Sequence, residues 1–157
     1  MPLPDIIAAV TARLDAVPST VNVYSYAREA KEPKKFIELF KDIVKGNIHT
    51  WMVTRQATST KDDGTGTYRR IHEIAMMGYY SVNDAVNSEG TFQSIVEDVC
   101  AAFDPLALRQ YGGKYDWSQP LQVEGPTVLM YGQSLCHAVK LIHRVEELIY
   151  EQPTPVE

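Results

Sequence analysis

The sequence predicts an α+β fold: an antiparallel sheet of about five strands, with two to three helices packed on one face. Two observations indicate the class. Apolar residues recur at helical spacing in separate segments, whereas β-branched and aromatic residues are concentrated in several others. A third observation concerns size. The 157 residues are enough for one hydrophobic core and no linker divides them, so we predict a single domain over residues 1–157.

Three segments have the apolar spacing of helices. Residues 4–16 predict the first helix. Residues 36–44 predict a second, because their apolar side chains share one helical face and Gly46 follows as a C-terminal cap. Residues 92–103 predict a third, which ends before Pro105.

Five segments have the composition of strands. They are residues 21–26, 48–55, 68–80, 120–131 and 135–150. The fourth is expected to be interrupted near Gly125-Pro126, because proline cannot donate to a strand ladder. The fifth fits the period of a strand or of a helix, and the hairpin that it would form with the fourth favours a strand.

The segments between these elements are polar. Residues 56–67 (QATSTKDDGTGT) have no apolar anchor, which predicts a long, mobile loop between the central strands. Residues 110–119 also predict a loop, and residues 152–157, with two prolines, predict a flexible tail.

Composition excludes several classes of protein. The chain has 15 Lys and Arg against 20 Asp and Glu, a net charge of −5, which argues against a domain that grips phosphate backbones. Cys100 and Cys136 are too few for a disulfide scaffold or a zinc site. No apolar run reaches the ~20 residues of a membrane span, and no secretory signal opens the chain, so we expect a protein of the cytoplasm without a membrane partner.

No arrangement of residues indicates catalysis. The four histidines occur singly, and the phosphate-loop, dinucleotide-binding and nucleophile-elbow motifs are all missing. His72 and Glu73 are neighbours on a predicted strand, so their side chains should point to opposite faces, as should those of Cys136 and His137. We therefore predict no enzyme, catalytic residue, metal or cofactor. The alternative is an active site built from distant residues, which substitution of Cys136 or His137 would test.

Two basic clusters suggest a second alternative, a small nucleic-acid-binding module. One cluster is Lys31, Lys34 and Lys35, and the other is Arg69-Arg70 beside Tyr68. Cations next to an aromatic ring can bind single-stranded nucleic acid. With a net charge of −5, however, solvent exposure or contact with a partner protein is the simpler interpretation.

The order of the elements resembles that of the tail terminator (tail completion) proteins of long-tailed bacteriophages, over roughly residues 3–150. The resemblance rests on an opening helix, a short first strand, a strand pair, a helix and a closing hairpin. The segments that carry it are Ile6 to Leu14, Asn22-Val23-Tyr24, Trp51-Met52-Val53, Ile71-His72-Glu73-Ile74, Gly78-Tyr79-Tyr80, Phe92 to Phe103, Pro120-Leu121 and Cys136-His137.

The resemblance implies a structural virion protein. Such proteins form a hexameric ring that caps the head-proximal end of the tail tube, ends tube growth and joins the tail to the head connector. The partners would be copies of the chain itself, the tail tube protein and a connector or neck protein, with DNA passing through the lumen. Six copies at −5 each would carry about −30, which suits a channel that must not retain DNA. A different neck or head-completion protein is the closest alternative.

A ring subunit needs two complementary faces, and the charged segments are the candidates for them. The basic stretch 28–35 and the acids of residues 97–98 would form one such pair, and the loop 56–67 would dock on a neighbour or on the tube. The candidate interface residues are Arg28, Lys31, Lys34, Lys35, Lys61, Asp62, Asp63, Tyr68, Arg69, Arg70, Glu97 and Asp98. The expected location is the tail or neck of a virion assembled in the host cytoplasm.

Overall fold

A computed structural model describes residues 2–28, 32–42, 45–62, 64, 66–104, 110–111, 115–116, 119–132 and 134–150. These residues form three α-helices and seven strands, so the predicted α+β class is confirmed. The helices are α1 (Pro2–Asp15), α2 (Pro33–Phe40) and α3 (Ser88–Ala102). The strands are β1 (Val23–Tyr24), β2 (His49–Asp62), β3 (Thr67–Ser81), β4 (Gln110–Tyr111), β5 (Tyr115–Asp116), β6 (Gln122–Tyr131) and β7 (Ser134–Tyr150).

The sheet is built around three long strands in the order β2, β3 and β7, and each is antiparallel to the next. The outer edge of β7 is shared. Its first half pairs with β6 and its last residues pair with β5, which in turn pairs with β4. On the opposite side, β1 pairs in parallel with Trp51 and Met52. The sheet is therefore mixed, whereas a wholly antiparallel sheet was predicted.

The main core lies on one face of this sheet, which we call face A. Ile6, Val10 and Leu14 recur along one side of α1 and are fully buried. They and the apolar side of α3 cover strand residues such as Trp51 and Met76. The apolar sides of α1 and α3 thus pack on alternate residues of the strands, which is the usual arrangement of a two-layer core.

The third helix lies on the other face, face B, and this corrects the prediction that all the helices share one face. Phe36 and Phe40 of α2 pack with Met52 and Cys136 in a second, smaller cluster. Met52 follows Trp51 in the same strand, so the two side chains point to opposite faces. Periodicity predicts a helix over this region, but it does not say which face of the sheet the helix covers.

Two predicted loops are wrong in part. Residues 56–62 continue β2 and Thr67 begins β3, so most of the polar tract belongs to one long hairpin with paired backbones. Thr58 and Thr60 are polar but have the β-branched shape that strands favour. Residues 110–119 include the short strands β4 and β5. Helix α2 ends at Phe40, so the predicted helix 36–44 is too long, and Lys41 forms an isolated β-bridge with Ile48 instead. Residues 43–44 and the predicted tail 152–157 lie outside the described residues.

The ambiguous last segment is a strand, as predicted. β7 pairs with β3 along 15 consecutive positions, from Cys136 to Tyr150. It also forms the predicted hairpin with β6, whose ladder shifts register between Glu124 and Thr127, around a cis Gly125-Pro126 peptide bond. An apolar segment that must satisfy backbone groups on both edges at the centre of a sheet forms a strand even though its spacing also suits a helix.

Candidate functional site

The hairpin of β2 and β3 extends well beyond the core. Side chains from Arg55 to Asp62 are exposed, whereas those from His49 to Val53 are buried. The exposed end of this hairpin, residues 54–62 and 67–72, is hereafter called the arm. Its two strands shift register once, between Arg55 and Ala57, and then stay paired to the tip, where Asp62 is opposite Tyr68. The arm is thus an ordered surface rather than the mobile loop that the sequence predicts.

Five of the predicted interface residues lie on the arm, but they do not form one surface. Successive residues of a strand point to opposite faces, so Tyr68 and Arg70 share face A and Arg69 lies on face B. Arg69 is paired there with Glu146 of β7, at 3.5 Å between Nη1 and Oε2. Lys61 and Asp62 lie at the end of β2, and Asp63 lies outside the described residues.

The described residues of the predicted basic stretch 28–35 lie near the opposite end of the sheet. The Arg28 guanidinium sits over the rings of Tyr24 and Tyr26, at 4.8 and 5.5 Å from their centroids. Lys34 and Lys35 are exposed on α2, while Lys31 lies outside the described residues. The structure therefore separates the two basic clusters, which removes the combined cationic surface that a nucleic-acid module would need.

The predicted acidic pair lies on α3, on face A. Glu97 and Asp98 are both exposed, and Asp98 accepts a hydrogen bond of 2.9 Å from the Ser19 hydroxyl. Because α2 lies on face B, the basic and acidic residues are on opposite faces of one subunit. They cannot meet within a chain, and only a contact between two chains would join them.

The largest group of exposed apolar side chains among the described residues was not predicted as a candidate. It belongs to β6, where Val128, Leu129 and Met130 are 56%, 38% and 60% exposed. Leu135, at the start of β7, is 48% exposed and lies opposite Met130. The run VLMY is the sequence signal, but it indicates a strand without telling a buried one from one at the edge of a sheet.

A buried polar group at the base of the arm also went unpredicted. His72 is 2% exposed, and both of its ring nitrogens have partners: the Thr58 hydroxyl lies 3.0 Å from Nδ1, and a Glu147 oxygen lies 3.2 Å from Nε2. These side chains come from β2, β3 and β7. Hydroxyl, imidazole and carboxylate in a row resemble a catalytic relay, but here the imidazole is fully occupied in linking three strands.

The other face of the arm has a ladder of charged pairs. Arg144 of β7 donates from Nε to Glu73 at 3.2 Å, next to the pair of Arg69 and Glu146. Arg144 also donates to the Gln119 side chain, and the group borders a polar cleft of about 350 Å³. Cross-strand pairs of opposite charge stabilise neighbouring strands by a few tenths of a kcal/mol to about 1 kcal/mol each.

Cys136 and His137, the residues of the alternative active-site hypothesis, are not arranged for nucleophilic chemistry. Cys136 is buried among apolar side chains of face B, and burial raises the pKa of its thiol to about 11. His137 points to the other face, where Nε2 lies 2.8 Å from the Ser88 hydroxyl. The two neighbours in sequence are thus on opposite faces, as the strand prediction requires, and Cys136 is a thiol at neutral pH.

Among the described residues, no three His, Cys, Asp or Glu side chains are grouped to hold a metal ion. None of the helices in the described part of the chain is long and apolar enough to cross a membrane. No model of a known protein family matches the sequence, and no curated protein matches it significantly either.

Proposed function

We propose that this chain is a structural subunit of a bacteriophage tail, which assembles into a ring, most simply a hexamer, on the head-proximal end of the tail tube. In that position it ends tube growth and offers a surface to the head connector. DNA passes through the ring without sequence-specific contact. Copies of the chain, the tube protein and a connector or neck protein are its partners.

The exposed apolar edge of β6 is the observation that carries this proposal. Val128 and Met130 are more than half exposed on a strand whose outer side has no partner among the described strands. Such an edge is a template for pairing with another chain, and natural proteins usually protect it. An exposed apolar edge is therefore typical of a subunit in which another chain covers that edge after assembly.

The distribution of charge supports the same proposal. The basic residues of α2 lie on face B and the acids of α3 on face A, so each subunit has two differently charged faces, as the subunits of a ring with distinct inner and outer surfaces would have. The net charge of −5 per copy also disfavours binding of DNA phosphates by an assembled ring.

A capping assay with the tail tube protein of the same phage tests the function. The purified chain, added to polymerising tube protein, is expected to bind one end of the tubes, shorten their mean length in electron micrographs and give a six-fold end view. Tubes of unchanged length with no density at either end would overturn the proposal. Binding to connector proteins without binding to tubes would instead identify a different neck or head-completion protein.

A further inference from the structure

Strand β6 has one edge without a partner in the described structure. Its inner edge pairs with Ser134–Ile142 of β7, and no described strand pairs with its outer edge. Between Gln122 and Tyr131, alternate residues therefore present backbone C=O and, except at Pro126, N–H groups outward. Val128 and Met130, on face A, and Leu129, on face B, stand beside these groups and are exposed.

A second such edge lies on the other side of the sheet. Strand β1 pairs only with Trp51 and Met52, so the outer edge of β2 has no described partner from Thr54 to Asp62. The two free edges have nearly equal lengths, ten and nine residues. The edge of β6 is apolar from Val128 to Tyr131 and carries Glu124, whereas the edge of β2 is polar and carries Arg55, Lys61 and Asp62.

The directions of the strands make these two edges compatible. Neighbours alternate in direction from β2 through β3 and β7 to β6, because each of the three pairs is antiparallel. Strands β2 and β6 of one subunit therefore run in opposite directions. When a second copy is placed beside the first in the same orientation, its β2 meets β6 of the first as an antiparallel pair.

One register satisfies both the alternation of faces and the charges. Val128 and Thr58 both lie on face A, and placing them opposite each other aligns the two faces of both strands. Counting along both strands, and allowing one extra residue for the irregularity between Glu124 and Thr127, places Glu124 opposite Lys61 on face B. The acidic residue of β6 then meets a basic residue of the arm.

We propose that the outer edge of β6 binds the outer edge of the arm of a second copy of this chain, as an antiparallel strand pair that repeats head to tail. The inference deepens the proposed function, since it names the contact between ring subunits. Pairing of β6 with another β6 is less favourable for two reasons. It leaves the edge of the arm unpaired, and the second β6 has no basic residue that could face Glu124 across the contact.

The two edges lie at different positions along the strand direction, and this offset constrains the geometry of a ring. β6 lies beside the first half of β7, whereas the free part of β2 lies level with the second half, since Thr54 and Ile142 are both opposite Ala75 of β3. Subunits joined in this way must have strands that tilt from the ring axis, with the stagger that strands in closed barrels have.

Cysteine cross-linking tests the contact directly. Full-length Val128→Cys and Thr58→Cys proteins, mixed and mildly oxidised, are expected to form disulfide-linked dimers that contain one chain of each variant. Both positions are exposed, and a thiol at residue 58 can still hydrogen-bond His72, although more weakly than the threonine hydroxyl, so both variants should fold. The unsubstituted chain is the control for Cys100, the half-buried native thiol. Dimers of Val128→Cys alone would overturn the proposal in favour of β6 pairing with itself, and absence of any dimer would also overturn it.

Charge-reversal variants test the proposed contact independently of the proposed function. Glu124→Lys and Lys61→Glu are each expected to lower the yield of the mixed cross-link several-fold, and mixing the two charge-reversed chains should restore it. A mixed cross-link in a protein that leaves tube length unchanged would overturn the tail function and retain the contact. Capped tubes without the cross-link would retain the function and overturn the contact.

Discussion

At the scale of single residues, Trp51 of β2 packs closely on Gly78 of β3. The two residues are directly opposite each other. A Cβ at Gly78 would lie 2.7 Å from two carbons of the Trp51 ring. Trp51 is fully buried and packs on Phe92 of α3, with 6.1 Å between ring centroids, so its ring cannot move away without disturbing the core. The glycine is required because the indole occupies the space above it.

Substitution of this glycine should destabilise the protein. Gly78→Ala is expected to lower the free energy of unfolding by about 1–3 kcal/mol, the usual cost of overpacking a core. Urea denaturation followed by circular dichroism measures the change. Ala57→Val, at an exposed position of the same sheet, is the matched control and should change stability by less than about 0.5 kcal/mol. A Gly78→Ala protein as stable as the wild type would contradict this explanation.

Two buried histidines make the fold sensitive to acid. Burial lowers the pKa of His49 to about 4 and that of His143 to about 3. His49 also accepts a hydrogen bond of 3.0 Å from the Trp51 indole, which requires an unprotonated Nε2. In the unfolded chain both groups titrate near the ordinary value of 6.5. The unfolded state therefore binds more protons below this pH, and stability falls as the pH drops from about 6.5 towards 4.

The size of this effect can be measured. Each of the two histidines is expected to remove about 2 kcal/mol from the free energy of unfolding between pH 7.5 and pH 5.0. In His49→Gln the amide oxygen can still accept from Trp51, so about half of this pH dependence should disappear. Urea denaturation at the two pH values is the test. An unchanged dependence in the variant would show that His49 is not the group responsible.

At the scale of elements, α2 illustrates how a short helix gains stability from a sheet. It has eight residues, too few to be stable alone in water. Phe40 is fully buried and contacts the rings of Phe36 and Tyr131, with centroids 5.0 and 5.3 Å away. These aromatic contacts with face B, rather than helix propensity, hold the helix in place.

Truncation of the central aromatic residue should therefore be costly. Phe40→Ala is expected to reduce the free energy of unfolding by about 3–5 kcal/mol, as is usual for a buried phenylalanine. Lys34→Ala, on the exposed side of the same helix, changes helix propensity but no core contact and should have little effect. Thermal and urea denaturation of both variants compare the two. Equal stability of the two variants would contradict a structural role for the aromatic cluster.

The arm should be dispensable for folding but not for assembly. Replacement of residues 61–69 by Asn-Gly joins Thr60 to Arg70, which are opposite each other, through a two-residue hairpin turn. The replaced side chains that the structure describes are exposed or half-buried, so the melting temperature should change little. We expect the shortened protein to lose tube capping, because it lacks Lys61 and the tip of the arm. Capping at the wild-type level would show that the tip makes no essential contact.

At the scale of the whole molecule, the charge balance predicts how the protein treats DNA. The two basic clusters are at separate ends of the sheet, and Arg69 is already paired with Glu146. With a net charge of −5, little counterion release is available to drive binding of a duplex.

We expect no measurable binding of a 30-base-pair duplex or of a single strand of equal length at 50 mM salt. Fluorescence anisotropy with labelled DNA measures this. A Glu97→Lys/Asp98→Lys variant raises the net charge by four and is the positive comparison, with weak affinity that decreases as salt is added. Clear binding by the wild type that falls steeply with salt would favour the nucleic-acid module instead.

The sequence by itself determined the class of fold and the position of most elements. Helical spacing identified α1 and α3, strand composition identified β2, β3, β6 and β7, and the glycine and proline of β6 marked its irregularity. These features are local, because a helix or a strand must repeat its apolar residues with its own period. For the same reason, the opposite orientations of His72 and Glu73 followed from their being neighbours on a strand.

Only the tertiary structure decided which surfaces these elements leave exposed. In the structure, β2 continues through the polar tract 56–62, α2 lies on face B, and His72 is paired with Glu147, 75 residues away. Strand β6 also lies at an edge. An apolar strand has the same sequence whether a neighbour covers it or not, and pairing is a long-range property of the whole chain. The candidate interface therefore became visible only when the order of the strands was known.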